Sequence, residues 1–121
     1  MDQDYEIIFY EDNKGHCPLD DFLDTLLPKV RAKIMKWLQM LERQGPNLPR
    51  PYADVLKGKI RELRIGFGSN HYRFLYFFYG KKIVVTQGFL KKTDQVPLKE
   101  IEQADQLRQD FLRRYQGGEI Q

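Results

Sequence analysis

The sequence predicts an α+β domain: helices packed on a mostly meander, antiparallel sheet of four strands, in the order β-α-α-β-β-β-α. Three observations lead there. Between Leu56 and Lys92, three strand-like runs follow one another with only short turns between them, the pattern of antiparallel hairpins. Two apolar stripes of helical period precede these runs and one follows them. The composition, 41% hydrophobic and 31% charged over 121 residues, suits one domain with its own core and not a disordered chain.

Taken in order, Tyr5 to Tyr10 alternates so that Tyr5, Ile7 and Phe9 share a face, which makes a fourth strand for the meander. Glu11 to Gly15 is a polar turn. Pro18 fits the first turn of a helix, where its missing N–H does no harm. Leu19, Phe22, Leu23, Leu26 and Leu27 then have helical spacing, and Asp20, Asp21 and Asp24 suit a helix N-terminus. Pro28 is expected to end that helix.

A second helix is expected over 29–44, with Val30, Ile34, Trp37, Leu38 and Leu41 on one stripe and Gly45-Pro46 as the stop. The two helices should form a hairpin across one face of the sheet. The register of Trp37 within the stripe assigns it to the core and not to an exposed base-stacking platform. Residues 47–55 read as a loop stiffened by prolines. The meander follows as Arg61 to Ile65, Tyr72 to Tyr79 and Ile83 to Phe89. Pro97 opens a third helix carrying Leu98, Ile101, Ala104, Leu107 and Phe111 on one side, stopped by Gly117-Gly118, with 116–121 as a frayed tail.

Charge is unevenly spread. Between Lys57 and Lys92 nine Lys or Arg face one acid, Glu62, so this stretch carries +8, while the whole chain is +3 and the remainder −5. A basic sheet is the footprint of a polyanion site, and equally of a solvated basic rim. A single cysteine, Cys17, makes no internal disulfide and suits the cytoplasm. No run reaches the ~20 apolar residues of a membrane span, and the start Met-Asp-Gln-Asp lacks signal-peptide character. One Cys and two separated His have no metal-ligand spacing, and no Gly-rich loop precedes Gly-Lys-Ser/Thr, so neither metal nor cofactor is expected.

Several segments carry a family resemblance: Leu56-Lys57-Gly58, Ile60-Arg61-Glu62-Leu63-Arg64, Tyr72-Arg73-Phe74, Phe89-Leu90-Lys91-Lys92-Thr93, and Pro97 with Glu100-Ile101. Their order and spacing resemble RelE-type toxins of type II toxin–antitoxin modules, and most closely the phage-derived, HigB-like branch of the RelE/ParE superfamily. The resemblance implies a RelE-like fold and a metal-independent endoribonuclease that cuts messenger RNA, commonly on the ribosome. It implies a cognate antitoxin, often with a helix-turn-helix domain. A ParE-like gyrase poison and a non-catalytic RNA- or antitoxin-binding module are the alternatives on the same scaffold.

By this resemblance Arg73 matches the catalytic arginine, Arg64 a second phosphate-directed cation, and Lys92 the group beside the leaving oxygen. Lys57, Lys59, Arg61, His71 and Lys91 are candidate RNA contacts. The chain departs from the ribosome-dependent pattern at Ile60, Glu62 and Leu98, which leaves the general base unassigned; His71 has suitable chemistry for it. Each arginine also has a structural alternative: for Arg73 an ion pair with Glu62 or Glu100, for Arg64 a structural salt bridge. Strand alternation predicts Glu62, Arg64 and Gly66 on one open face with His71, Arg73, Thr86, Gly88 and Lys92. Leu63, Ile65, Phe74, Val85 and Phe89 should cover the helix side. The nuclease reading requires Arg64, Arg73 and Lys92 to converge without being consumed by internal ion pairs.

Overall fold

The computed structural model describes residues 5–116, in the order β1 (Glu6–Phe9), α1 (Pro18–Asp24), α2 (Pro28–Gln44), a 3-10 turn (Gly45–Asn47), β2 (Ala53–Lys57), β3 (Ile60–Phe67), β4 (Asn70–Tyr79), β5 (Lys82–Lys91) and α3 (Leu98–Gln116). Gln116, expected to begin the frayed tail, is the last residue of α3; the expected Gly117-Gly118 stop and the tail beyond it lie outside the described residues. The sheet has five strands in the order β1-β5-β4-β3-β2. It is mixed, not the four-stranded antiparallel sheet the sequence suggests.

Two features account for the difference. Residues 53–57, of which 53–55 are expected in the loop and 56–57 in no strand, form β2 and pair antiparallel with β3. Gly58 at φ +57 turns the chain between them, a conformation that glycine adopts freely and that suits a two-residue hairpin loop. The second is β1, which joins the sheet beside β5 with Glu6 opposite Lys82 and runs parallel to it. A parallel partner needs a long crossover, and here everything from α1 to β4 lies between the two strands.

Pro28 does not close α1; it opens α2 as its first residue, with Leu27 extended before it. The first helix has already stopped at Asp24, where Thr25 caps it: its N–H and its hydroxyl both donate to the Phe22 carbonyl, at 3.0 and 2.7 Å. The second stops at Gly45 as expected.

The core has two layers. Leu19, Leu23, Val30, Ile34, Leu38 and Leu41 from α1 and α2 pack on Leu63, Ile65, Phe74, Tyr76 and Val85. On the other face Ala104 and Phe111 of α3 pack on Ile60, Leu75, Phe77 and Val84. Helices therefore flank both faces, and α3 partly covers the face expected to be open. Leu98, expected on the α3 stripe, is exposed.

A bulge sets which residues of β5 face which layer. Leu75 pairs with Gln87 and Tyr76 with Val85, so Thr86 is an extra residue. The alternation flips there. Gly88 turns toward α1, where a Cβ would lie 2.3 Å from the Phe74 ring and 3.1 Å from Phe22. Phe89 joins the α3 layer instead of the α1–α2 layer. Thr86 is fully buried and its hydroxyl donates to the Leu75 carbonyl at 3.2 Å. Gly88 therefore does not lie on the face of Arg73.

Candidate active site

On β3, alternation sends Glu62, Arg64 and Gly66 to the α3 side of the sheet. Antiparallel register sets Arg73 opposite Arg64 and His71 opposite Gly66. Across β4, Lys91 is the partner of His71 and Phe89 of Arg73. Glu62, Arg64, Arg73 and Lys91, with Asp54 of β2, residues 94–96 and Ile101 of α3, line a cavity of about 340 Å³.

The centre of this cavity is a carboxylate between two guanidinium groups. The Glu62 side chain is only 5% exposed, and a charge at that depth needs partners. Its Oε2 accepts from Arg64 Nε at 3.0 Å and lies 2.9 Å from Arg64 Nη2. Its Oε1 lies 3.1 Å from Arg73 Nε. That N–H is not aimed at the oxygen, so the two atoms are ion-paired but share no well-formed hydrogen bond. Arg73 Nη1 donates to the Tyr72 carbonyl at 3.0 Å. Arg64 Nη2 also reaches Asp54 Oδ2 at 3.3 Å, and the same oxygen accepts from Arg50 Nε at 2.8 Å.

Burial pushes the Arg73 pKa below its ordinary value; the charge of Glu62 opposes that push and Arg64 adds to it. Arginine starts so high that the group remains a cation. The Val55 N–H, helped by Arg50 and Arg64, holds the Asp54 carboxyl below the usual carboxylate range. Three cations line the cavity, Arg64, Arg73 and Lys91, against three acids, Asp54, Glu62 and Asp94. The cleft is therefore close to neutral, unlike the strongly basic surface that the charge count suggests. Asp54 and Glu62 are both engaged by arginine, and among the described residues no group of three or more His, Cys, Asp or Glu gathers as a metal site would require.

The expected site residues divide into three groups. Arg64, Arg73 and Lys91 converge on the cavity, and both arginines are in internal ion pairs, the structural alternative that the sequence left open. His71 is exposed at the rim and lines a second cavity, of about 310 Å³, which it shares with Arg64 and Arg73. The others lie elsewhere. Lys92 follows the last residue of β5, is exposed, and does not line the cavity; Lys91 has the register that points there.

Lys57 and Lys59 are exposed at the β2–β3 turn, at the far end of the sheet. At about 3.3 Å per strand residue, Lys59 is on the order of 15 Å from Arg64. Arg61 belongs to the opposite face, where its guanidinium lies 5.1 Å from the Phe78 ring centre. Lys81 sits over Tyr5, and Lys82 pairs with Glu6 at 3.3 Å, also at the far end. The basic stretch is thus split between two ends and two faces.

Sequence reasoning missed Asp54, because 47–55 read as a proline-stiffened loop. A signal was present: Leu56-Lys57-Gly58-Lys59-Ile60 reads as a glycine turn between two strands.

Among proteins compared with the chain, a family model described as phage-derived protein Gp49-like (DUF891) matches residues 21–109. That span includes α2, all of β2 to β5 and every residue of the cavity. No protein of curated function matches the chain. Among the described residues no helix is long and apolar enough to cross a membrane.

Proposed function

The chain belongs to the Gp49-like phage-derived family, and from that premise we propose that it is the toxin of a type II toxin–antitoxin module, acting in the cytoplasm as a metal-independent endoribonuclease on messenger RNA at the ribosome. The condition set from the sequence is met only in part, since Lys92 lies outside the cleft and both arginines are ion-paired. What supports this reading best is that the two arginines still line one cleft side by side, with Arg64 a third exposed and Lys91 lining the same cleft.

In this reading the 2′-hydroxyl of a nucleotide attacks the adjacent phosphorus, the 5′-oxygen leaves, and a cyclic phosphate remains. Negative charge grows on the non-bridging oxygens during that step. Guanidinium groups fixed in advance stabilise it without reorganising. Glu62 is the positioning residue: its carboxylate is too deeply buried to meet substrate, but it is ion-paired to both cations and orients them. Arg64, a third exposed, contacts the phosphate first. Lys91 takes the place beside the leaving oxygen that the sequence suggested for Lys92. His71, across from Lys91 on the rim, is the candidate for proton transfer.

The cognate antitoxin covers this cleft, with an acidic or amphipathic segment that folds as it binds. The test is to incubate the purified chain with RNA, alone and on translating ribosomes. Products ending in a 2′,3′-cyclic phosphate and a 5′-hydroxyl are expected, with Arg64→Ala slowed by about 100- to 1000-fold. Intact RNA together with DNA breaks in expressing cells would assign the chain to gyrase poisoning instead.

The ion pairs themselves favour a second reading, a non-catalytic module whose cleft only binds RNA or the antitoxin, since both arginines there already pair with an acid. Steeply salt-dependent RNA binding without cleavage in either setting would select it.

A further inference from the structure

We infer that the notch at the open edge of β3 is a base-binding subsite for single-stranded RNA, in which the Tyr52 ring stacks on the base attached to the phosphate at Arg64 and Arg73. The inference rests on the RNA-directed reading above and adds to it where the base goes.

β2 begins at Ala53, opposite Leu63. The adjoining backbone bond runs from the Arg64 N–H to the Tyr52 carbonyl at 2.8 Å. Past it, Ile65 and Gly66 have no strand beside them on that edge among the described residues. The gap is the second cavity, of about 310 Å³, walled by Trp37 and Tyr52 on one side and by Arg64, Arg73 and His71 on the other.

Tyr52 is 41% exposed although it is a large aromatic residue. Its ring stands edge to face with Trp37, with centres 6.5 Å apart. The indole in turn carries Lys33, whose ammonium lies 5.4 Å from the ring centre and donates to the Gly66 carbonyl. Trp37 is thus wedged in place, and it braces Tyr52. Gly66 keeps the notch open: a Cβ there would meet only the Asn70 carbonyl, at 3.9 Å.

Arg64 and Arg73 line both cavities, so they form a shared wall. A nucleotide has one charged part and one flat aromatic part joined by a sugar, and two compartments divided by guanidinium groups match that division. Aromatic and guanidinium surfaces stack any base, because every base offers a π-face. The volume is at the lower end of the ~300–1,000 Å³ of small-molecule pockets, enough for one base and too little for a duplex. Bases available for stacking in this way belong to single strands.

The experiment uses the full chain and single-stranded hexamers of uniform sequence, oligo(A) and oligo(U). It reads affinity against salt concentration, together with the fluorescence of Trp37, the only tryptophan. Both hexamers should bind and change the Trp37 emission. Tyr52→Ala and Gly66→Leu should each weaken binding by about 5- to 150-fold with the salt slope unchanged, whereas Arg64→Ala should lower that slope by about one.

Should Arg64→Ala alter binding while neither notch variant does and Trp37 stays silent, the subsite is wrong and the RNA reading stands. Should the unaltered chain bind neither hexamer at low salt, both are wrong. Thermal melts check that the variants fold. If Tyr52→Ala does not, Gly66→Leu decides, since its added side chain points into open space.

Discussion

Glu62 Oε1 and Arg73 Nε stand 3.1 Å apart, buried and ion-paired, and neither has a well-formed hydrogen bond to the other or to anything else, while Arg64 holds the other oxygen of the same carboxylate. Arg73 is therefore part of the fold as well as a candidate for the chemistry. Any loss of activity on removing it mixes the two roles.

Breaking a buried ion pair by deleting one partner leaves a charge without compensation, which costs about 3–5 kcal/mol. Glu62→Ala and Arg73→Ala should each cost about 3 kcal/mol, the low end: without Glu62, Arg64 is a third exposed and relaxes into solvent, and without Arg73, Arg64 still holds the carboxylate. The paired replacement Glu62→Leu with Arg73→Met removes both charges and should be close to neutral. Urea unfolding of the three variants checks this. The double variant then tests the charges in activity assays without the confounding of misfolding.

Lys91 and the lysines of the β2–β3 turn should behave differently. Lys91→Ala should weaken RNA binding and reduce the salt slope by about one. Lys57→Ala and Lys59→Ala should leave both unchanged, because they sit at the far end of the sheet from the arginines. Salt titrations of the three variants distinguish a site at one end from a footprint along the whole sheet.

Gly88 allows Phe74 to lie flat across β5. A methyl group there would need to occupy space 2.3 Å from a ring that is itself fully buried. Gly88→Ala should cost about 1–3 kcal/mol, typical of overpacking, and appear as a lowered melting temperature.

At the other end of the molecule, Tyr10 ties β1 to α3. Its hydroxyl donates to Asp110 at 2.6 Å, and Arg114 holds the same carboxylate oxygen at 2.8 Å. Burial first, and then the Asp110 carboxylate, push the Tyr10 pKa up to about 12; burial chiefly, with the charges of Glu62 and Asp54 adding and Arg61 opposing, does the same for Tyr76. The folded values lie above the ordinary value of 10.0, so the unfolded chain loses these protons first. The associated stability is fully present below pH ~10 and declines as pH rises from about 10 through about 12. Absorbance titration of phenolate should show Tyr10 and Tyr76 ionising later in the native protein than in urea. Tyr10→Phe should remove the late phenolate step of Tyr10 and cost about 1.5–3 kcal/mol.

The parts of the fold legible in the chain were those set by neighbours in sequence. Arg61 to Ile65, Tyr72 to Tyr79 and Ile83 to Phe89 all fall inside strands, and the Val30–Leu41 stripe is the buried side of α2. So are the breaks at Gly45 and Gly80, where the backbone takes positive φ. Arg64, Arg73 and Lys91 could be named as candidates because their residue types and spacing carry the resemblance.

Local periodicity by itself determined which segments are helix or strand and which residues carry the charge. Only the tertiary structure decided where those charges meet. One extra residue at Thr86 reverses every later side chain of β5, which exchanges Lys92 for Lys91 at the cleft. A strand read as loop brings Asp54 to Arg64. The position of α3 turns an open basic face into a partly covered, nearly neutral cleft. The physical reason is the same in each case: a strand's two faces are assigned by its pairing with distant segments, and electrostatic balance depends on distance in space, neither of which a window of neighbouring residues contains.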